Sequence, residues 1–247
     1  MVGIEKFKEF FADYTDQYVL IGGAACDISF SSNFVDFRAT KDLDIVLIVE
    51  ALTKEFAEKF WEFIRTGNYI NRAKSNGSPQ FYRFEKPQSA GYPAMLELFS
   101  RAEWTLNTDS VLMPVHIDDS VSSLSAILLD EAYYTALLEG RDIIDGISIL
   151  KPEWIIPFKV KAWLDLQDKK ERNMPIDSKN IRKHRNDILR IASELALSPV
   201  RLPDKVKNDM RIFIERFSVT DTELKNLKLS NVHGSDIIQL LKDIYEI

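Results

Sequence analysis

The chain is poor in the residues that build disulfide and soft-metal chemistry. It holds 1 cysteine, Cys26, and 3 histidines in 247 residues. One cysteine excludes an intrachain disulfide framework and a thiolate zinc cluster, and three scattered histidines make a poor imidazole cage. No apolar run is long enough to span a bilayer, and the charged opening around Glu5, Lys6 and Lys8 does not suit the apolar core of a signal peptide. Basic residues are outnumbered 32 to 38, a formal net charge of -6. That balance argues against a broad nucleic-acid-coating surface, though a local basic patch remains compatible with it. Internal repeats and low-complexity segments are absent as well. What is left is an ordinary globular composition, 45% hydrophobic, long enough for one large domain or two small ones. The expectation is a soluble, reduced, cytoplasmic protein with no membrane partner.

The informative stretch is residues 18–49. It reads as a strand from Tyr18 to Ile21, a turn at Gly22 and Gly23, a short helix of small residues, a polar loop, and a strand from Leu43 to Val49. Gly22 and Gly23 permit a tight turn and leave backbone amides uncovered at the start of a helix, where a phosphate can bind. Asp42 and Asp44 open the second strand. At that spacing both carboxylates share one face, while Leu43, Ile45, Leu47 and Val49 face the core. Two like charges held together repel; a divalent cation relieves the repulsion, and hard oxygen ligands suit Mg2+. Arg38, Thr40 and Lys41 arrive beside the aspartates. Arg38 has two readings of equal weight, an ion pair that orients a carboxylate or a contact to a nucleotide phosphate.

Around that stretch, Ile4, Phe7, Phe11 and Tyr14 mark a packing helix, and residues 53–66 an amphipathic one with Phe56, Phe60 and Phe63 inward. Asn76, Gly77 and Pro79 signal turns; strands are expected at 81–85 and 94–99. Glu97 lies in the second of these among apolar residues. A carboxylate there is unfavourable unless paired, hydrated at a sheet edge or bound to a cation; as a third acid beside Asp42 and Asp44 it would act as base or metal ligand. Edge strands are expected over 111–117 and 124–129, then a helix capped by Asp130 and ended by Gly140, and a short extended piece over 147–150. From Pro152 onward the pattern is helical. Lys159 falls inside an apolar stripe, either snorkelling to the surface or facing a ligand. A helix over 178–197 carries Lys179, Arg182, Lys183, Arg185 and Arg190, with Lys183 and Asp187 four residues apart. These cations form either a solvated face or a site for a triphosphate or an RNA backbone. Helices are expected near 204–217 and 234–245. The reading divides the chain into 1–140 and 141–247.

Gly22 and Gly23, then Arg38, Thr40, Asp42 and Asp44, then Glu97, with Lys159, Lys183 and Asp187 in the helical half, resemble the nucleotidyltransferase superfamily, and within it the AbiEii-type proteins of abortive-infection and toxin–antitoxin systems. The resemblance covers most of residues 18–195. Gly23 stands where many members carry serine, and the third acid is glutamate rather than aspartate. The resemblance implies an α+β fold: a small mixed β-sheet core flanked by helices, followed by an all-helical C-terminal lobe that closes over a nucleotide. It implies Mg2+ on Asp42 and Asp44, with Glu97 as the further catalytic acid. It also implies a nucleoside triphosphate held near Gly22, Gly23, Arg38 and Thr40 and by Lys159, Lys183 and Asp187. The reaction implied is transfer of a nucleoside monophosphate to an acceptor hydroxyl, an RNA end being favoured and a protein hydroxyl or a small molecule being the other acceptors, with a cognate antitoxin as a further partner. The alternative is a binding module on the same fold with the chemistry lost.

Overall fold

The computed structural model describes residues 1–38, 40–73, 79–99, 127 and 130–247. The expected turn at 76–77 and the expected edge strands over 111–117 and 124–129 lie outside these residues, Ile127 apart. The described chain is α+β, with one mixed sheet and flanking helices. No helix among the described residues is long and apolar enough to cross a membrane.

Contacts divide the chain into two units. The first is Met1–Leu129 with Arg141–Leu150, and the second is Asp130–Gly140 with Lys151–Ile247. The sequence reading placed its division at residue 140; by contacts, two segments around that point change sides. A helix counted with the front belongs to the second unit, and a hairpin counted with the back belongs to the first.

The first unit opens with α1 (Ile4–Phe11) and a short 3-10 turn, followed by β1 (Tyr18–Ile21), α2 (Gly22–Ser32), β2 (Asp42–Leu47), α3 (Lys54–Gly67), β3 (Ile70–Ala73), β4 (Pro79–Glu85) and β5 (Met95–Phe99). It closes with the hairpin β6 (Arg141–Ile144) and β7 (Ile147–Leu150). The seven strands run in the order β3-β4-β5-β2-β1-β7-β6. Pairing is antiparallel except for β2 with β5 and β1 with β7, which are parallel. One face carries Tyr18, Leu20, Leu43, Ile45, Phe84, Leu96 and Leu98, all buried. Aromatic residues of α1 and α3 cover it: Phe7 meets Tyr18 edge-on at 5.2 Å and Phe60 meets Phe84 at 5.7 Å. Apolar burial of this kind stabilises by about 25 cal/mol per Å² removed from water, and edge-on ring pairs add to it. Thr53 caps α3 by accepting the Phe56 amide at 3.2 Å, so the helix start sits where the sequence pattern put it.

β7 pairs in parallel with β1, Leu20 opposite Ile149. That pairing returns the chain to the sheet after the excursion into α4 (Glu131–Glu139), which Asp130 caps. The β6–β7 turn is Asp145-Gly146, both in the left-handed region at φ 51° and φ 74°, the backbone that a two-residue hairpin turn requires.

The second unit is helical: α4, then α5 (Pro152–Glu171), α6 (Ser178–Glu194), α7 (Asp204–Arg216), α8 (Asp221–Asn226) and α9 (Gly234–Tyr245). Pro157 lies inside α5. A proline there cannot donate to the carbonyl four residues back, which is that of Glu153. The Tyr245 hydroxyl donates to that carbonyl instead, at 2.6 Å, so the helix continues through the proline without an orphaned acceptor. Tyr133 of α4 is fully buried and donates to Asp209 Oδ2 of α7 at 2.9 Å. Burial, then the adjacent Asp209 carboxylate, push its phenol well above the usual tyrosine range.

Candidate active site

The polar face of the sheet is built by register. Asp44 lies opposite Glu97 in the parallel β2–β5 pair, and Glu97 lies opposite Arg83 in the antiparallel β4–β5 pair. Residues paired across neighbouring strands project to the same side. Asp44, Glu97 and Arg83 therefore form one row across three strands. Asp42, two residues from Asp44 on β2 and opposite Met95, stands on the same face one step along. The burial alternation agrees: Asp42, Asp44, Met95, Glu97 and Arg83 are half-buried, while Leu43, Ile45, Leu96 and Phe84 between them are buried. The period-two reading of Asp42, Asp44 and Glu97 holds in the coordinates.

The glycine pair is packed against this face. Gly22 begins α2 with φ +64°, and a Cβ built on it falls 2.2 Å from Asp44 Oδ2. A side chain at 22 would meet both a left-handed backbone and a carboxylate. Gly23 is similarly confined, with Thr40 Oγ1 at 2.7 Å and Arg38 Nη2 at 3.7 Å from its virtual Cβ. The two glycines thus bring the start of α2 against Asp44, Thr40 and Arg38 together. Ile21 at the N-cap offers no side-chain hydrogen bond to the first amides, so the helix start meets the carboxylate face with its own backbone. Arg38 stacks over Phe37, its Cζ 5.2 Å from the ring centroid, and Phe37 packs on Phe30 of α2 at 4.7 Å. The guanidinium is steered by aromatic packing as well as by charge.

Gly22→Ala is expected to cost about 1–3 kcal/mol and to displace Asp44. A melting temperature lower than wild type, together with a loss of divalent-ion stabilisation, is the result to look for. An alanine variant with unchanged melting and unchanged ion response would show that the close approach is unimportant.

Glu97 is not free to act alone. Arg83 Nε donates to Glu97 Oε1 at 2.5 Å, and Arg83 Nη2 pairs with the same oxygen. Sequence reading missed Arg83. Alternation through Arg83, Phe84 and Glu85 hinted at a polar position, but only the β4–β5 register sets it opposite Glu97. Among the described residues no group of three or more His, Cys, Asp or Glu side chains gathers closely enough to cage a metal ion. Two carboxylates on one face, Asp42 and Asp44, nevertheless fit Mg2+, which commonly takes one or two carboxylates and completes its shell with water and phosphate oxygens.

The remaining predicted residues belong to the second unit. Lys159 on α5 and Asp187 on α6 are 6% and 1% exposed, and Lys159 Nζ meets Asp187 Oδ2 at 2.8 Å. Snorkelling does not describe this lysine; it is held in a buried ion pair. Lys183, one turn before Asp187, is exposed, so the two do not share surroundings as the four-residue spacing suggested. In the basic helix, Arg185 pairs with Glu223 at 3.0 Å and Arg190 with Glu194 at 2.7 Å, which places both in ion pairs rather than on an open cationic face. An open hollow of about 430 Å³ lies along α3, lined by Tyr14, Glu55, Glu58, Lys59, Glu62 and Arg65; none of the predicted site residues borders it.

No protein-family model matches the chain, and no curated protein matches it. Among solved structures, the chain is similar to an antigenic nucleotidyltransferase-like protein from Paracoccidioides brasiliensis, at 15% identity over 96% of this chain and 97% of that one, with a TM-score of 0.43. A likeness so slight carries no functional argument, and the reading of the site rests on Asp42, Asp44, Glu97 and the glycine pair.

Proposed function

We propose that the chain is a magnesium-dependent nucleotidyltransferase. The observation that carries the proposal is the close fit of Gly22 against Asp44, on the face that Asp42 and Glu97 share. In this reading Asp42 and Asp44 would hold the divalent cation, which would supply neutralisation of phosphate charge. Gly22 and Gly23 let the triphosphate approach the backbone at the start of α2. Arg38 and Thr40, beside Gly23, contact phosphate oxygens. The acceptor hydroxyl oxygen attacks the α-phosphorus, an O–P bond forms, the bond to the β-phosphate oxygen breaks, and pyrophosphate leaves. Glu97 takes the hydroxyl proton. Positioning and charge neutralisation supply the rate enhancement.

The resemblance to AbiEii-type proteins extends the proposal to an RNA end as acceptor and to a toxin role held in check by an antitoxin. The test is release of pyrophosphate from each of the four nucleoside triphosphates with Mg2+ and total RNA, read beside transfer of α-phosphate label to the RNA. Label in RNA with stoichiometric pyrophosphate supports the reading. A second reading, a nucleotide-binding module without chemistry, draws support from the engagement of Glu97 by Arg83. Calorimetric binding of a nucleoside triphosphate with no pyrophosphate under any acceptor would decide for it.

A further inference from the structure

Arg83 has no counterpart among the residues that the proposed reaction requires, yet it is joined directly to the carboxylate row through Glu97. Both of its contacts, from Nε and Nη2, go to Glu97 Oε1. The pair is largely screened from solvent, with side-chain exposures of 23% for Arg83 and 16% for Glu97. Register sets the order Asp44, Glu97, Arg83 across β2, β5 and β4, at roughly 4.8 Å per strand. The Arg83 backbone thus stands about two strand spacings from that of Asp44, with Glu97 between them.

Resting on the nucleotidyltransferase reading above, we propose that Arg83 is a positioning residue that sets the charge of the metal site. With Glu97 uncompensated, the face would carry one more negative charge and would draw a cation more strongly before any nucleotide arrived. Arg83 cancels that charge. The face then presents Asp42 and Asp44 as the pair that matches a single divalent ion, and Glu97, with Oε1 committed to the guanidinium, is withheld from the metal. Oε2 receives no bond from Arg83 and remains the oxygen through which Glu97 meets the acceptor proton. The guanidinium is suited to this because it stays charged at all working pH values and its rigid fork fixes the carboxylate plane.

The test is titration of the purified full chain with Mn2+ alone, by calorimetry, in wild type and in Arg83→Gln, Arg83→Lys, Glu97→Gln, the double Arg83→Gln/Glu97→Gln, and Asp44→Asn. Arg83→Gln is expected to tighten Mn2+ binding about fivefold, because it unmasks the Glu97 charge. Adding Glu97→Gln to it is expected to abolish that gain and return the affinity to within about twofold of wild type. Arg83→Lys, which keeps the charge, is expected to stay within about twofold. A purely structural arginine would not produce a gain that depends on Glu97. Unchanged or weaker Mn2+ binding in Arg83→Gln, or a gain that survives Glu97→Gln, would overturn the assignment. If Asp44→Asn binds Mn2+ as wild type does, the site itself has been misplaced, and both readings fall. If Asp44→Asn loses Mn2+ while Arg83→Gln is silent, only the inference about Arg83 fails.

Discussion

Asp44→Asn is expected to lower nucleotide transfer at least about 100-fold, the scale seen when one preorganised electrostatic contact to a reacting group is removed. The substitution keeps size and shape and removes the charge. Asp44 is half-buried at the centre of the proposed site, in contact range of Gly22 on one side and in register with Glu97 on the other. Circular dichroism should therefore match wild type. Ligand-dependent stabilisation is expected to disappear: wild type should melt higher with Mg2+ and a nucleoside triphosphate than without, and the variant should not. Equal labelling of RNA by variant and wild type would remove Asp44 from the chemistry.

Lys159→Met is expected to be the most destabilising conservative change in the helical unit. It deletes one partner of the Lys159–Asp187 pair and leaves a carboxylate that is 1% exposed. Breaking a buried pair from one side costs about 3–5 kcal/mol, which corresponds to a fall of roughly 10 °C or more in melting temperature. Replacing both partners, as in Lys159→Met with Asp187→Leu, is expected to recover more than half of the loss. A single variant that melts with wild type would show that the pair contributes little.

The parts of this molecule governed by local periodicity could be read without coordinates. Period two placed Asp42 and Asp44 together and Leu43 and Ile45 behind them. Period 3.6 found α1 and α3 with their phenylalanines inward, and Asp130 and Gly140 marked both ends of α4. What escaped was set by partners distant in sequence. Arg83 and Glu97 are 14 residues apart, and nothing local says which strands pair or in which register. Lys159 and Asp187 are 28 apart; the lysine was legible as an oddity in an apolar stripe, but its partner was not. The β6–β7 hairpin is a different case. Asp145-Gly146 between isoleucines is a strong turn signal that was open to reading, and β6 was missed with it. The partner that answers Pro157 was equally out of reach, since Tyr245 lies 92 positions from Glu153.

That last contact has a consequence for how the protein is made. The gap that Pro157 opens in α5 is closed by a hydroxyl belonging to Tyr245, in the final turn of α9. During synthesis α5 would emerge long before its donor does, with the Glu153 carbonyl satisfied only by water. The helical unit can therefore reach its finished state only after Tyr245 itself has left the ribosome.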